Sequence, residues 1–164
     1  MTHIALEEGS LVVYPAHGVG RVVGFEQQTI AGVELRVVMI AFEKDKLTLR
    51  LPVNRIDSSG LRTLSSQEKM NEAIKTLKTP SRARRMMWSR RAQEYETKIN
   101  SGDPLSIAQV VRDLHRSTAQ SEQSYSERQI YQVALDRLMR EYAAIEKIDE
   151  EKALEKLEEA MQAA

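Results

Sequence analysis

Arg82-Ala83-Arg84-Arg85-Met86-Met87-Trp88-Ser89-Arg90-Arg91 surrounds the only tryptophan of this 164-residue chain with arginines. Arg84, Arg85 and Arg91 stand three or four residues from Trp88, and on a helix that spacing places all four on neighbouring surface. A flat apolar ring among cations suits a nucleic-acid groove. The guanidinium groups hold phosphates and the ring wedges against or between bases. The same residues also read as packing. Trp88, Ala92, Tyr95 and Ile99 recur at i, i+4, i+7 and i+11, the apolar stripe of an amphipathic helix, where a lone Trp is more often core than ligand contact.

Little else offers reaction chemistry. The three histidines, His3, His17 and His115, make no i, i+4 pair, and no carboxylate cluster completes a metal set. His17 reads as a turn residue and His115 as helix surface. Gly18-Val19-Gly20 lacks the third glycine of a dinucleotide loop, and no Walker-type loop is present. The glutamates after residue 140 alternate with Lys147, Lys152 and Lys156, the pattern of a solvated helix face rather than of a paired acid and base. With no cysteine there is no thiolate chemistry or disulfide, which fits a reducing interior. The expectation is a protein that is not an enzyme, with no catalytic residue, metal or cofactor.

Net charge is zero, yet its distribution is uneven. Residues 1–65 hold seven basic and seven acidic side chains, residues 66–120 eleven and six, and residues 121–164 six and eleven. A basic middle and an acidic end are thus hidden in a neutral total, and a local basic surface survives unless the end folds back upon it. The first ten residues have no secretory pattern and no stretch is long and apolar enough to span a membrane, so the expected location is the cytoplasm.

The elements that must position these residues change type near residue 65. Leu11-Val12-Val13-Tyr14, residues 19–25, residues 33–42 and Leu47-Thr48-Leu49-Arg50-Leu51 read as strands. Turns are expected at Pro15-Ala16-His17-Gly18, Ala31-Gly32 and residues 43–46, and the spacing predicts a small antiparallel barrel. In the last strand Leu47, Leu49 and Leu51 share one face, Thr48 and Arg50 the other. Pro52 places that strand near an edge or end. Beyond it the periodicity is helical. Ser65 with Glu68 predicts a capped helix, and the Trp88 helix runs to about Asn100, stopped by Ser101-Gly102. Asp103-Pro104 opens a helix over 105–119, Ser124 with Glu127 caps another, and an acidic helix starts near Asp149. The fold class is α+β, with residues 1–65 a β module and residues 66–164 an all-α helical domain.

At this point several blocks of the chain resemble the CarD/CdnL family of bacterial transcription regulators. They are residues 9–20 (Gly9 to Gly20, with Tyr14-Pro15-Ala16-His17-Gly18), Leu47-Thr48-Leu49-Arg50-Leu51-Pro52, Trp88-Ser89-Arg90-Arg91, Ser101-Gly102-Asp103 and Val110-Val111-Arg112-Asp113-Leu114. They fall in the family order and cover nearly the whole chain. The resemblance implies that the β module is a Tudor-like barrel that docks on the RNA polymerase β subunit. A similar barrel occurs in the transcription-repair coupling factor, whose ATP-driven motor is absent here. The helical module would contact promoter DNA at the upstream edge of the transcription bubble. Its Trp would enter the minor groove with little sequence specificity and stabilise the open complex, notably at ribosomal RNA promoters. A monomer held on the nucleoid through polymerase is implied.

Carried over by position, the polymerase-binding residues are Gln28, Thr48 and Arg50, and the DNA-binding residues are Arg84, Arg85, Trp88, Arg90, Arg91 and Arg128. The chain departs from some members at Gln28 and Gln93, where they have a basic residue, and at His115, where they have an aromatic. Two other readings compete. An RNA-binding or ribosome-associated module calls for exposed aromatics on the barrel, whereas Tyr14, Phe25 and Phe42 suit its core. A structural adaptor calls for a buried Trp88.

Overall fold

The computed structural model describes residues 6–80, 87–115 and 125–162, and divides the chain into two units, Met1–Leu64 and Ser65–Ala164. Arg84, Arg85 and the cap expected at Ser124 lie outside the described residues.

The first unit is a five-stranded antiparallel sheet, the Tudor-like module of the sequence reading. Its strands are β1 (Leu11–Tyr14), β2 (Gly18–Ile30), β3 (Val33–Phe42), β4 (Leu47–Pro52) and β5 (Arg62–Thr63), in the order β4-β3-β2-β1-β5. Strand β2 runs five residues past the expected end at Phe25, closing on the Ala31-Gly32 turn. Both turn residues take left-handed backbone, φ 52° and 79°, the geometry that matches the twist of a two-residue hairpin. The short helix α1 (Ile56–Ser59) and the two-residue β5 were not expected, being too short to carry a periodic signal.

The core of this unit holds Val12, Val22, Val38, Ile40 and Phe42, with Tyr14, Phe25 and Leu49 packed against it, so its three aromatics do line the core. Gly20 makes the packing of Phe42 feasible. A Cβ there would stand 2.6 Å from the Phe42 ring and 2.8 Å from Ile40. A register shift between Val22 and Gly24 forms a bulge. Because of it Val22 and Phe25 both face the core, opposite Ile40 and Val38, although they are three residues apart.

The second unit packs α2 (Gln67–Leu77), α3 (Trp88–Asn100), α5 (Tyr125–Glu146) and α6 (Glu150–Gln162) around α4 (Pro104–Leu114). Helix α4 is the central element, since seven of its eleven residues are buried. Asp103 caps it as expected, accepting from the Leu105 amide at 3.3 Å with Pro104 in the first turn. The Asp149 carboxylate likewise accepts from the Lys152 amide at 2.7 Å at the start of α6.

Three details differ from the sequence reading. The cap of α2 is Ser66, whose Oγ accepts from the Lys69 amide at 3.2 Å. Ser65 is instead held by its own amide, which donates to the buried carboxylate of Glu141 at 2.8 Å. His115 is not helix surface. It is the C-cap of α4, half-buried, with its ring centroid 6.2 Å from that of Tyr131. The Trp88 helix, α3, starts at Trp88 itself, because Met87 just before it is extended at φ −56°, ψ 137°.

Gly20→Ala is expected to destabilise the β unit by about 1–3 kcal/mol, since the new methyl overpacks the Phe42 ring. A lowered urea midpoint checks this, and an unchanged midpoint contradicts it. A second expectation concerns Tyr131. Burial, then the neighbouring Glu158 carboxylate, push its phenol up to about 12. The folded state therefore disfavours the phenolate. Stability is complete below the unfolded value near 10 and is lost as pH rises toward about 12, by about 2 kcal/mol. Denaturation against pH should show this loss in the native chain and a flatter profile in Tyr131→Phe.

Candidate nucleic-acid interface

Trp88 is the first residue of α3, so it stands at the end of the apolar stripe rather than within it. Tyr95 and Ile99, further along the stripe, are buried, while Trp88 is half-buried and packs against the same core. Its ring lies 6.3 Å from Tyr95, tilted by 50°. Its indole Nε1–H donates to Ser126 Oγ on α5 at 3.2 Å. The Arg91 guanidinium lies 5.5 Å from the Trp88 ring and 5.6 Å from the Tyr95 ring, and its Nη2 donates to Tyr95 Oη at 3.0 Å. Met87, immediately before the helix, is 76% exposed.

The start of α3 differs chemically from those of α2 and α4. Met87 has no oxygen with which to cap it, and the first turn holds no acidic residue. The free N–H groups and the positive end of the helix dipole therefore have no side-chain acceptor from the cap position. Arg90 sits in that turn and is exposed. Such an end favours anions. Arg128 is exposed on α5, two residues beyond Ser126. The structure thus brings Trp88 and Arg91 together and, through Ser126, ties them to the helix that carries Arg128. The missing cap was legible in the sequence, because Met86-Met87 offers none of the residues that usually open a helix.

The second group of expected residues lies on one face of the sheet. Strand β4 is an edge strand, and Thr48 and Arg50 on it are exposed. Arg50 stands opposite Met39, which in turn faces Gly24, while Gln28 faces Leu35. Strand alternation then puts Glu26 and Gln28 on the face of Thr48 and Arg50, above a floor of Leu35, Val37, Met39 and Ala41 from β3. Ile30 and Val33, 52% and 57% exposed, extend that floor to the hairpin end. Arg50 is not a free cation, for its Nε donates to Glu26 Oε2 at 3.3 Å. Both members are exposed, so the pair is worth at most about 1 kcal/mol and can be exchanged for another carboxylate. The sequence reading missed Glu26 and the apolar floor, since both depend on the bulge.

Residues 6–65 match the family model for the CarD-like/TRCF RID domain, and residues 72–158, more than half of the chain, match the CarD C-terminal domain. RID domains are of a kind that interacts with RNA polymerase. The order of the two modules defines a transcription regulator. The chain belongs to the CarD family. Among its relatives is a candidate transcription factor of Bacillus subtilis strain 168, YdeB, 25% identical over 142 residues, which span 87% of this chain and 93% of the relative. Among solved structures, the 72-residue N-terminal domain of Myxococcus xanthus CarD is 30% identical, covering 38% of this chain and 84% of that one with a TM-score of 0.32.

A half-buried indole has a defined energetic signature. Trp88→Ala is expected to cost the helical unit about 2 kcal/mol, between a surface change and the 3–5 kcal/mol of a fully buried aromatic. Thermal unfolding followed by helical circular dichroism should fall by about 10 °C. A shift below about 2 °C would mean the ring is surface only, and a loss of the folded unit would mean it is core.

Proposed function

We propose that this transcription regulator docks on the RNA polymerase β subunit through the β4 face and stabilises the promoter open complex with Trp88. Arg90 and Arg128, together with Arg84 and Arg85, hold phosphates of the upstream DNA, and Arg91 belongs to the same surface through its contact with the ring. The observation that carries the reading is the position of Trp88. It is half-buried at an uncapped, arginine-bearing helix start. An indole in such a place presents apolar surface where anions are favoured, the combination that a minor-groove wedge needs.

The energetics favour an open promoter over a closed one. Wedging a ring into intact duplex costs a few kcal/mol of unstacking. At a junction already melted by polymerase that cost has been met, so the indole binds the open state better, and a difference in affinity of this kind shifts the population. Docking raises the local concentration of a weak DNA-binding surface, so no base-reading motif is required. The sheet face fits a protein partner, with an apolar floor rimmed by Thr48, Arg50, Glu26 and Gln28. An RNA-binding reading loses its support, because Tyr14, Phe25 and Phe42 pack into the core rather than onto an open sheet surface.

Two substitutions test the division of labour. Arg50→Glu places a second acid beside Glu26 and is expected to reduce co-purification with polymerase at least about tenfold, while DNA affinity of the free protein is unchanged. Trp88→Ala is expected to keep polymerase binding and to shorten the lifetime of competitor-resistant open complexes. If Arg50→Glu still co-purifies normally, the docking face is wrong. An unchanged lifetime with Trp88→Ala removes the wedge.

A further inference from the structure

Of the arginines near Trp88, Arg91 is placed unlike the others. Arg90 and Arg128 are exposed. Arg91 is half-buried, its guanidinium lies against both the Trp88 and Tyr95 rings, and Nη2 is bonded to the Tyr95 hydroxyl. Its Nε is buried with no hydrogen-bond partner among the described residues. An arginine that grips phosphate presents its planar fork outward, with Nε and Nη free to bond two oxygens together. Here one edge of the fork is turned inward. A buried donor without a partner is unfavourable, so the contact with the two rings has to offset it.

Stacking alone leaves an indole free to choose which edge it turns outward. The bond from Nε1–H to Ser126 Oγ removes that freedom, because only one ring orientation brings the donor to α5. The ring is therefore held from two sides, by a cation against its face and by a hydroxyl at its polar edge. We infer that Arg91 and Ser126 are positioning residues for the indole, and that Arg91 clamps Trp88 against Tyr95 rather than binding phosphate. The inference deepens the proposed wedge and rests on it. It assigns the ring a fixed exposed edge before DNA arrives, so that little ordering cost remains at the junction.

The 164-residue chain has a single Trp, so its indole N–H gives one resonance and its emission one anisotropy decay. Ser126→Ala is expected to speed exchange of the indole N–H with water and to shorten the open-complex lifetime about fivefold, the loss of one net hydrogen bond. Ser126→Thr, which keeps the hydroxyl, restores both. Arg91→Met is expected to loosen the ring, seen as faster local anisotropy decay, while the slope of log K against log salt for DNA binding stays unchanged. Arg91→Lys keeps the charge yet fails to restore the tight ring or the lifetime. A salt slope that falls by about one in Arg91→Met makes Arg91 a phosphate contact and overturns the clamp. So does a native lifetime in Arg91→Lys. If Trp88→Ala itself leaves the lifetime unchanged, the wedge falls, and the exchange and anisotropy of the free protein still judge the clamp by themselves.

Discussion

In the proposed wedge a single indole has to satisfy two opposed demands. It needs a hydrophobic core to hold it, and it needs a face left outside that core. Placing Trp88 at the first residue of α3 meets both. The stripe that continues through Tyr95 and Ile99 supplies the anchor, and the end of the helix supplies the opening. Three features of the helical unit bear on this position. Helix α4 fills the centre, Ser126 brings α5 to the ring, and Met87 leaves the helix start without a cap. The two readings of the sequence, core stripe and exposed ring, are opposite ends of one helix face.

The β unit solves a different problem with a single extra residue. The bulge at Val22/Gly24 lets β2 keep Val22 and Phe25 in the core while turning Glu26 and Gln28 outward beside Arg50. Without it the alternation would place those polar side chains toward Val38 and Ile40. The resulting face is balanced in charge within itself, since Glu26 occupies Arg50 at 3.3 Å. A charge pair held loosely in this way keeps the surface soluble and is easily traded for a partner's carboxylate.

Strands β1 to β4, the three turns between them and the Asp103-Pro104 helix start were legible in the sequence, because each depends on neighbours within a few residues. What was not legible depends on distant ones. Ser65 has the spacing of a cap, but its amide is claimed by Glu141, seventy-six residues away, and Ser66 caps instead. His115 has helix-surface spacing, yet Tyr131 covers it. Arg50 has the pattern of a free cation, and only strand register reveals Glu26. Arg91 matches a phosphate-binding pattern as well as Arg90 does. Only the ring geometry separates them.

Each of the two hydrophobic clusters draws its described residues from one unit alone. Buried substitutions in the two clusters share no packing partner among the described residues of either cluster. A lesion in the helical core removes no residue from the core of the sheet. Under the proposed function, a chain with its sheet intact and its helices lost would, in a cell that held both forms, occupy the docking surface without supplying the ring. Lesions in the helical core would then be dominant in their genetics, and lesions in the sheet recessive.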